Sequence, residues 1–325
     1  MSKLVCGGAG YIGSHAVREL LDQGEDVIVV DNLSTGFKKA VDPRAKFYNI
    51  DLHDEKALDI VFKENKIDGV IHFAAFSLVG ESVEKPLKYF KNNVDGTRSL
   101  LEVMNANNVK KIVFSSTAAV YGEPKSVPIK ESDETSPTSP YGESKLTVEK
   151  MLKWTERAYK IKYIVLRYFN VAGAHKSAEI GEAHNPETHL LPIILQVALG
   201  QREFISIYGD TYDTKDGSCI RDYIHVTDLV DAHILALKAL EDGKSSNIYN
   251  LGNGTGFSVK EIIDVVEKIT KKDIKKIITD KRAGDPGTLI ADYSKIKKDL
   301  NWNPSRNIEM IVEDAWKWHN TNRYD

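Results

Sequence analysis

The sequence predicts an α/β protein: a doubly wound parallel sheet with a smaller mixed α/β lobe after it. Three observations carry that prediction. Short apolar runs alternate with longer helical patterns through the first half of the chain, the rhythm of strand, crossover helix and parallel strand. A glycine-rich turn, Gly7-Gly8-Ala9-Gly10-Tyr11-Ile12-Gly13, directly follows the first apolar run. After about residue 171 the rhythm breaks into loops and isolated elements. One domain is therefore expected over residues 1–171 and a second over 172–325, with parts around 226–252 as candidates to pack back on the first sheet.

Leu4-Val5-Cys6 reads as the first buried strand, and the glycines after it permit a tight turn. Residues 12–23 read as a helix, Val27-Ile28-Val29-Val30 as the second strand, and Glu55–Glu64 as the second helix. Val70-Ile71-His72-Phe73 and Ile112-Val113-Phe114 continue the sheet, with a helix over 92–107 between them. A long helix over 141–159 and a strand over 163–166 complete this half. Beyond it, 175–189 reads as a loop, 190–199 as a helix, 204–208 as a strand and 208–217 as a polar loop.

With 325 residues the chain is long for one core and suggests two lobes. It is 42% hydrophobic and 28% charged, an ordinary globular balance. A formal net charge of −3 provides no basic field for nucleic acid or an anionic membrane. The pairs Lys271-Lys272 and Lys275-Lys276 read as a solvated face. No apolar run approaches the roughly 20 residues of a membrane helix. The glycine turn begins at Gly7, which leaves no room for a signal peptide, and Cys6 and Cys219 lie far apart. A reduced, cytoplasmic setting is the expectation.

Gly7, Gly10 and Gly13 have the spacing G-x-x-G-x-x-G, a variant of the dinucleotide fingerprint, so the sheet is expected to be Rossmann-type. The helix that starts there offers its N–H groups and positive dipole end to phosphates. Asp31 ends the second strand, close to the separation of about 20 residues at which an acid meets the ribose. A carboxylate there repels a 2′-phosphate, which predicts NAD over NADP; an ordinary turn at Asp31-Asn32 is the alternative. Asp51 is a candidate adenine contact or an acidic turn residue.

Within Ser139-Pro140-Tyr141-Gly142-Glu143-Ser144-Lys145, Tyr141 and Lys145 fall one helical turn apart on one face. An ammonium beside a phenol favours the phenolate, so the Tyr141 pKa is expected to fall from about 10. A phenol tuned that way acts as a base near neutral pH. Thr117 follows the strand at Ile112-Val113-Phe114, and ligands of such sheets bind beyond the carboxyl ends of the strands. His175, His184 and His189 share one loop, but their spacing fits no strong zinc pattern. They read as loop histidines, and no metal is expected.

These segments resemble the extended short-chain dehydrogenase/reductase superfamily, and within it the UDP-glucose (UDP-galactose) 4-epimerases. Besides the glycine turn and the Tyr141 segment, the resemblance rests on His72-Phe73-Ala74-Ala75, Asn92-Asn93-Val94, Leu166-Arg167-Tyr168-Phe169-Asn170, Arg221-Asp222-Tyr223-Ile224-His225-Val226 and Tyr249-Asn250-Leu251-Gly252. It implies Tyr141 as acid/base, Lys145 on the nicotinamide ribose and Thr117 on the sugar 4-oxygen. It implies NAD contacts at Gly7, Gly10, Tyr11, Ile12 and Gly13, and at Asp31, Asn32, Asp51 and Leu52. Further NAD contacts are implied at Phe73, Ala74, Ala75, Asn92, Tyr141, Lys145 and Tyr168. For a UDP-sugar it implies Asn170 on the diphosphate, Arg221 and Arg282 on the pyrophosphate, and Asp285 on the uridine ribose. His189, Leu190, Tyr208 and Leu289 are the remaining implied substrate contacts.

The implied reaction is inversion at C4 of a UDP-hexose through a transient 4-keto sugar. Related dehydratases need an Asp-Glu pair after the Thr, where this chain has Ala118-Ala119. Epimerases of UDP-glucuronate or a UDP-pentose remain alternatives, as does a non-catalytic NAD-binding regulator. Leu289 stands where some members place a large aromatic, which leaves room for a 2-acetamido group. Ser77 stands where some members have a Lys. The resemblance also implies a homodimer built on the helices over 92–107 and 141–159, whose candidate outward residues are Leu100, Val103, Met104, Leu152 and Trp154; packing on the chain's own sheet is the alternative.

Overall fold

The computed structural model describes residues 1–282 and 286–321. The chain separates into two compact units. The first comprises residues 1–122, 135–167 and 230–249, and the second 123–134, 168–229 and 250–325.

The first unit is built on a seven-stranded sheet. Its strands are β1 (Ser2–Cys6), β2 (Val27–Asp31), β3 (Lys46–Asn49), β4 (Ile67–His72), β5 (Lys111–Thr117), β6 (Lys162–Tyr168) and β10 (Asn247–Leu251). Their order is β10-β6-β5-β4-β1-β2-β3. The pairs β1–β2, β2–β3, β1–β4 and β4–β5 are all parallel. Strand β2 is buried along its whole length, and only the first residue of β1 is not. A parallel sheet covered on both faces produces such continuous apolar runs, which is why they were readable without alternation. The chain reverses direction of growth between β1 and β4, the switch point beyond which such sheets bind ligands.

The crossovers are α1 (Tyr11–Asp22), α2 (Glu55–Glu64), α5 (Gly96–Ala106) and α6 (Pro140–Tyr159), with short helices α3 (Val79–Glu84) and α4 (Pro86–Tyr89) before α5. The helix expected over 92–107 differs at its start: residues Phe90–Asp95 wind as a π-helix and α5 begins only at Gly96. Leu100, Val103, Met104 and Leu152 pack into the core with Leu4, Val70 and Phe114. Of the five candidate outward residues only Trp154 is exposed, at 65%. The other four follow the alternative reading and pack on the chain's own sheet, because apolar periodicity marks a buried face without saying what buries it. Strand β10 joins the edge of this sheet. Helix α8 (Val226–Glu241) leads toward it.

The second unit contains β7 (Asn170–Ala172), α7 (Leu190–Ala198), β8 (Ile205–Tyr208), β9 (Ile220–His225), β11 (Gly256–Ser258), α9 (Val259–Thr270), β12 (Lys276–Thr279), β13 (Thr288–Leu289), α10 (Ser294–Leu300) and α11 (Ile308–His319). Strand β9 pairs with β7, β11 and β13, and β8 pairs with β12. Its own core includes Ile194, Ile207, Ile263 and Ile311 from α7, β8, α9 and α11. Among the described residues no helix is long and apolar enough to cross a membrane.

Candidate active site

The first unit places the glycine turn, the acid and the Tyr-Lys pair at the carboxyl ends of its strands. Gly7 leaves β1 with φ +82, and a Cβ there would sit 2.6 Å from the Ala74 nitrogen. Gly13 faces the turn so closely that a Cβ would meet the Gly7 carbonyl oxygen at 2.0 Å. Only glycine allows this packing. Phe73 and Ala74, just past β4, donate their N–H groups to the Cys6 carbonyl at 2.8 and 3.1 Å, which binds the two strand ends together.

Helix α1, with Tyr11 and Ile12 in its first turn, starts at Gly10 with no side-chain cap and no acid in that turn. With neither a side-chain cap nor an acid in that turn among the described residues, the turn fits a dinucleotide pyrophosphate. The Asp31 carboxylate accepts from Ala9 N at 2.9 Å and from Leu33 N at 2.8 Å. Burial raises its pKa against those two N–H groups. Each oxygen retains a lone pair, so the carboxylate also fits ribose hydroxyls. Asn32 donates to Asp51 at 2.8 Å, and the next residue, Leu52, is buried. Asn92 donates to its neighbour Asn93 at 3.0 Å, and Ala75 lies in the loop after β4.

Tyr141 and Lys145 occupy the first two turns of α6, both buried. The Ser139 side chain accepts from Gly142 N and caps the helix. Thr117, at the end of β5, stands close enough to the Tyr141 phenol to oppose the rise that burial causes in its pKa. Lys145 donates to the Ser115 carbonyl at 2.9 Å and lies 4.8 Å from the centre of the Phe114 ring. The expected fall in the Tyr141 pKa is not what this form of the site produces. Burial raises the phenol, with Thr117 opposing. Lys145 is itself pulled to about 7 by burial, opposed by the Glu149 charge. The residue spacing was right, but it carried no information about burial.

Sequence reasoning missed the groups beneath this pair. Glu149, one further turn along α6, accepts from Ser116 Oγ at 2.5 Å and from Arg167 at 3.0 and 2.5 Å. Arg167 also donates to the Tyr121 hydroxyl at 2.9 Å. Asn93 joins its neighbours by donating to the Ser144 hydroxyl at 3.0 Å and accepting from Phe76 N at 2.9 Å. The Asn92-Asn93 motif flagged the segment, but not which Asn is buried.

In the second unit, Asn170 opens β7 in register with Tyr223 of β9. Tyr168 also belongs to this unit. Arg221 lies in register with Leu289 of β13 and donates to the Ile220 and Pro286 carbonyls, each at 2.9 Å. The Arg282 guanidinium lies 3.7 Å from the centre of the Tyr208 ring. Asp285 lies outside the described residues. Asp222, beside Arg221, is fully buried and accepts from Asn253 N, Gly254 N and Ala291 N at 2.7, 3.0 and 3.1 Å. It ties β9 to the segments that follow β10 and β13. His189 occupies the N-cap position of α7, just before Leu190, without a side-chain cap bond, and its ring bonds Glu182. The loop histidines are therefore not equivalent: His184 and His189 meet two glutamates, whereas His175 pairs with Ser177 at 2.7 Å.

A glycine turn beneath an uncapped helix, a buried acid at the end of β2 and a Tyr-Lys pair define a nucleotide-dependent redox fold. A model of the NAD dependent epimerase/dehydratase family matches residues 3–252, and the chain belongs to that family. It is 57% identical to the UDP-glucose 4-epimerase of Lacticaseibacillus casei over 98% of this chain and 97% of the relative. It is also similar to the crystal structure of UDP-glucose 4-epimerase from Bifidobacterium longum in complex with NAD+ and UDP (TM-score 0.93, 41% identity, 99% of each chain). The UDP-Glc/GlcNAc 4-epimerase of Campylobacter jejuni matches with a TM-score of 0.86 and 42% identity, covering 98% of this chain and 99% of that one.

Proposed function

We propose that the chain inverts C4 of a UDP-hexose, interconverting UDP-galactose and UDP-glucose with tightly held NAD. The buried Tyr141–Lys145 pair, one turn apart at the start of α6, is the observation that carries this reading. Tyr141 takes the proton of the sugar 4-hydroxyl, directly or through Thr117, and returns it after inversion. Bound NAD supplies the hydride acceptor and is restored in every turnover. Lys145 holds the nicotinamide ribose and, as a cation, lowers the phenol pKa that burial raises. The side chains of Ala118-Ala119 transfer no proton, so the 4-keto sugar is reduced again instead of losing water. Asn170, Arg221 and Arg282 hold the diphosphate, for which guanidinium forks are suited. His189, Leu190 and Tyr208 complete the nucleotide contacts.

Two finer readings accompany this one. Leu289 lacks the bulk of an aromatic, so UDP-N-acetylglucosamine and UDP-N-acetylgalactosamine enter the same pocket. The chain works as a homodimer in the cytoplasm, with Trp154 as an exposed aromatic on α6. The test is product analysis on a panel of UDP-sugars with wild type and Tyr141→Phe. Wild type converts UDP-galactose to UDP-glucose. The variant loses about 10²–10⁴-fold, the usual worth of a general base, and retains NAD. Near-normal turnover by the variant refutes the role of Tyr141. No conversion of the acetamido sugars refutes the reading of Leu289.

A further inference from the structure

The loop before α7 gathers Glu182, His184, Glu187 and His189, and the epimerase reaction has no use for them as a group. One donor atom from each lies within 4.8 Å of all the others. We propose that this cluster binds one divalent transition-metal ion through two imidazole nitrogens and two carboxylate oxygens.

The donor chemistry selects the class of ion. Two imidazoles with two carboxylates suit Zn²⁺ and its neighbours, whereas Mg²⁺ and Ca²⁺ take oxygen ligands. A tetrahedral zinc with bonds of about 2.0–2.1 Å spaces its ligand atoms about 3.3 Å apart. His184 Nδ1 already stands 3.3 Å from Glu182 Oε1 and 3.8 Å from Glu187 Oε1. His189 Nδ1 is 3.9 Å from Glu187 Oε1. On binding, the His189–Glu182 hydrogen bond gives way to the ion and side-chain rotation brings the four atoms to that spacing.

Charge is balanced within the same site, where the two histidines carry it when protonated and an ion takes their place. The side chains of Glu182 and Glu187 are each only 3% exposed. Two buried carboxylates in one cluster need positive charge beside them. A dication supplies it while both imidazoles stay neutral, the form in which they ligate.

The frame is also fixed. The Glu182 carbonyl accepts from the Trp318 indole at 2.8 Å, and Ala174 bridges Gly181. A Cβ on Gly181 would run into the Trp318 ring at 2.4 Å. At the other end, Glu187 Oε1, the oxygen that faces both imidazoles, accepts from Thr188 N and His189 N at 2.8 and 2.9 Å, which holds that carboxylate in place. A metal here clamps the loop to the first turn of α7. The four ligands fall within eight positions, yet no regular zinc spacing relates them, so only the folded loop brings them together.

The test uses the full-length protein without a histidine tag, stripped by chelator and desalted, then titrated with ZnCl₂ by calorimetry and with CoCl₂ by visible absorption. Wild type is expected to take up one ion per chain, to develop cobalt d–d bands and to gain thermal stability from zinc. Glu182→Gln and His184→Ala should each weaken uptake by about tenfold or more, and His175→Ala should leave it unchanged. His184→Gln serves if the alanine variant fails to fold. Absence of saturable uptake by wild type, or uptake undiminished in folded Glu182 and His184 variants, overturns the proposal.

Discussion

At the scale of single residues, the Tyr141–Lys145 pair depends on charge that burial works against. Burial raises the phenol pKa and lowers that of the ammonium to about 7. Ionising Tyr141 is favoured by a cation beside it, the role proposed for Lys145. Removing that cation raises the phenol pKa further, so the acid limb of the kcat–pH profile should move to higher pH. Lys145→Ala should show that displacement together with a fall in kcat; an unmoved limb would separate Lys145 from the ionisation of Tyr141. The residue types were legible in the sequence because Y-x-x-x-K and the preceding Thr each occupy one short segment. The direction of the shift was not legible, because burial is a property of the assembled unit. The same holds for Glu149 and Arg167, which lie 18 positions apart and meet only in the fold.

At the scale of elements, the first unit was legible because its strands are buried on both faces and its turns carry glycines with a steric purpose. The second unit was less so. Its strands are short, and the edge strand β12 is mostly exposed, so no periodicity marks it. Where elements were read correctly, the reason can be tested at the β1–α1 turn. A Cβ on Gly13 would lie 2.0 Å from the Gly7 carbonyl, well inside contact, and that atom belongs to backbone that cannot yield cheaply. Gly13→Ala should therefore displace the turn, destabilise the protein by about 1–3 kcal/mol and release NAD during purification. Retention of stoichiometric NAD and an unchanged denaturant midpoint would show that the turn tolerates the methyl group. At α9 the order of signal and structure is simpler. Ser258 and Glu261 form a complete capping box, a pair readable directly from S-x-x-E.

At the scale of the molecule, a single sequence boundary near residue 171 cannot describe how this chain is distributed. Residues 230–249 complete the first unit after the chain has left it. Their contribution is specific. Ser115 and His233 are hydrogen-bonded at 2.8 Å in the buried interior. The Phe73 ring lies 4.7 Å from that of His233. The buried Lys3 ammonium meets Glu241 as well as Asp68, and Ser246 accepts from Tyr163 N at 3.0 Å. Strand β10 covers the edge of β6. A fragment of residues 1–171 loses all of these. It exposes the edge of β6, a template for aggregation, leaves Lys3 without its Glu241 partner and uncovers the apolar faces that α8 protects. Such a fragment should be poorly soluble, lack a cooperative unfolding transition and bind no NAD, whereas the whole chain should unfold cooperatively and retain the cofactor. Cooperative unfolding of the fragment with undiminished NAD affinity would mean that residues 230–249 decorate the nucleotide-binding unit instead of completing it.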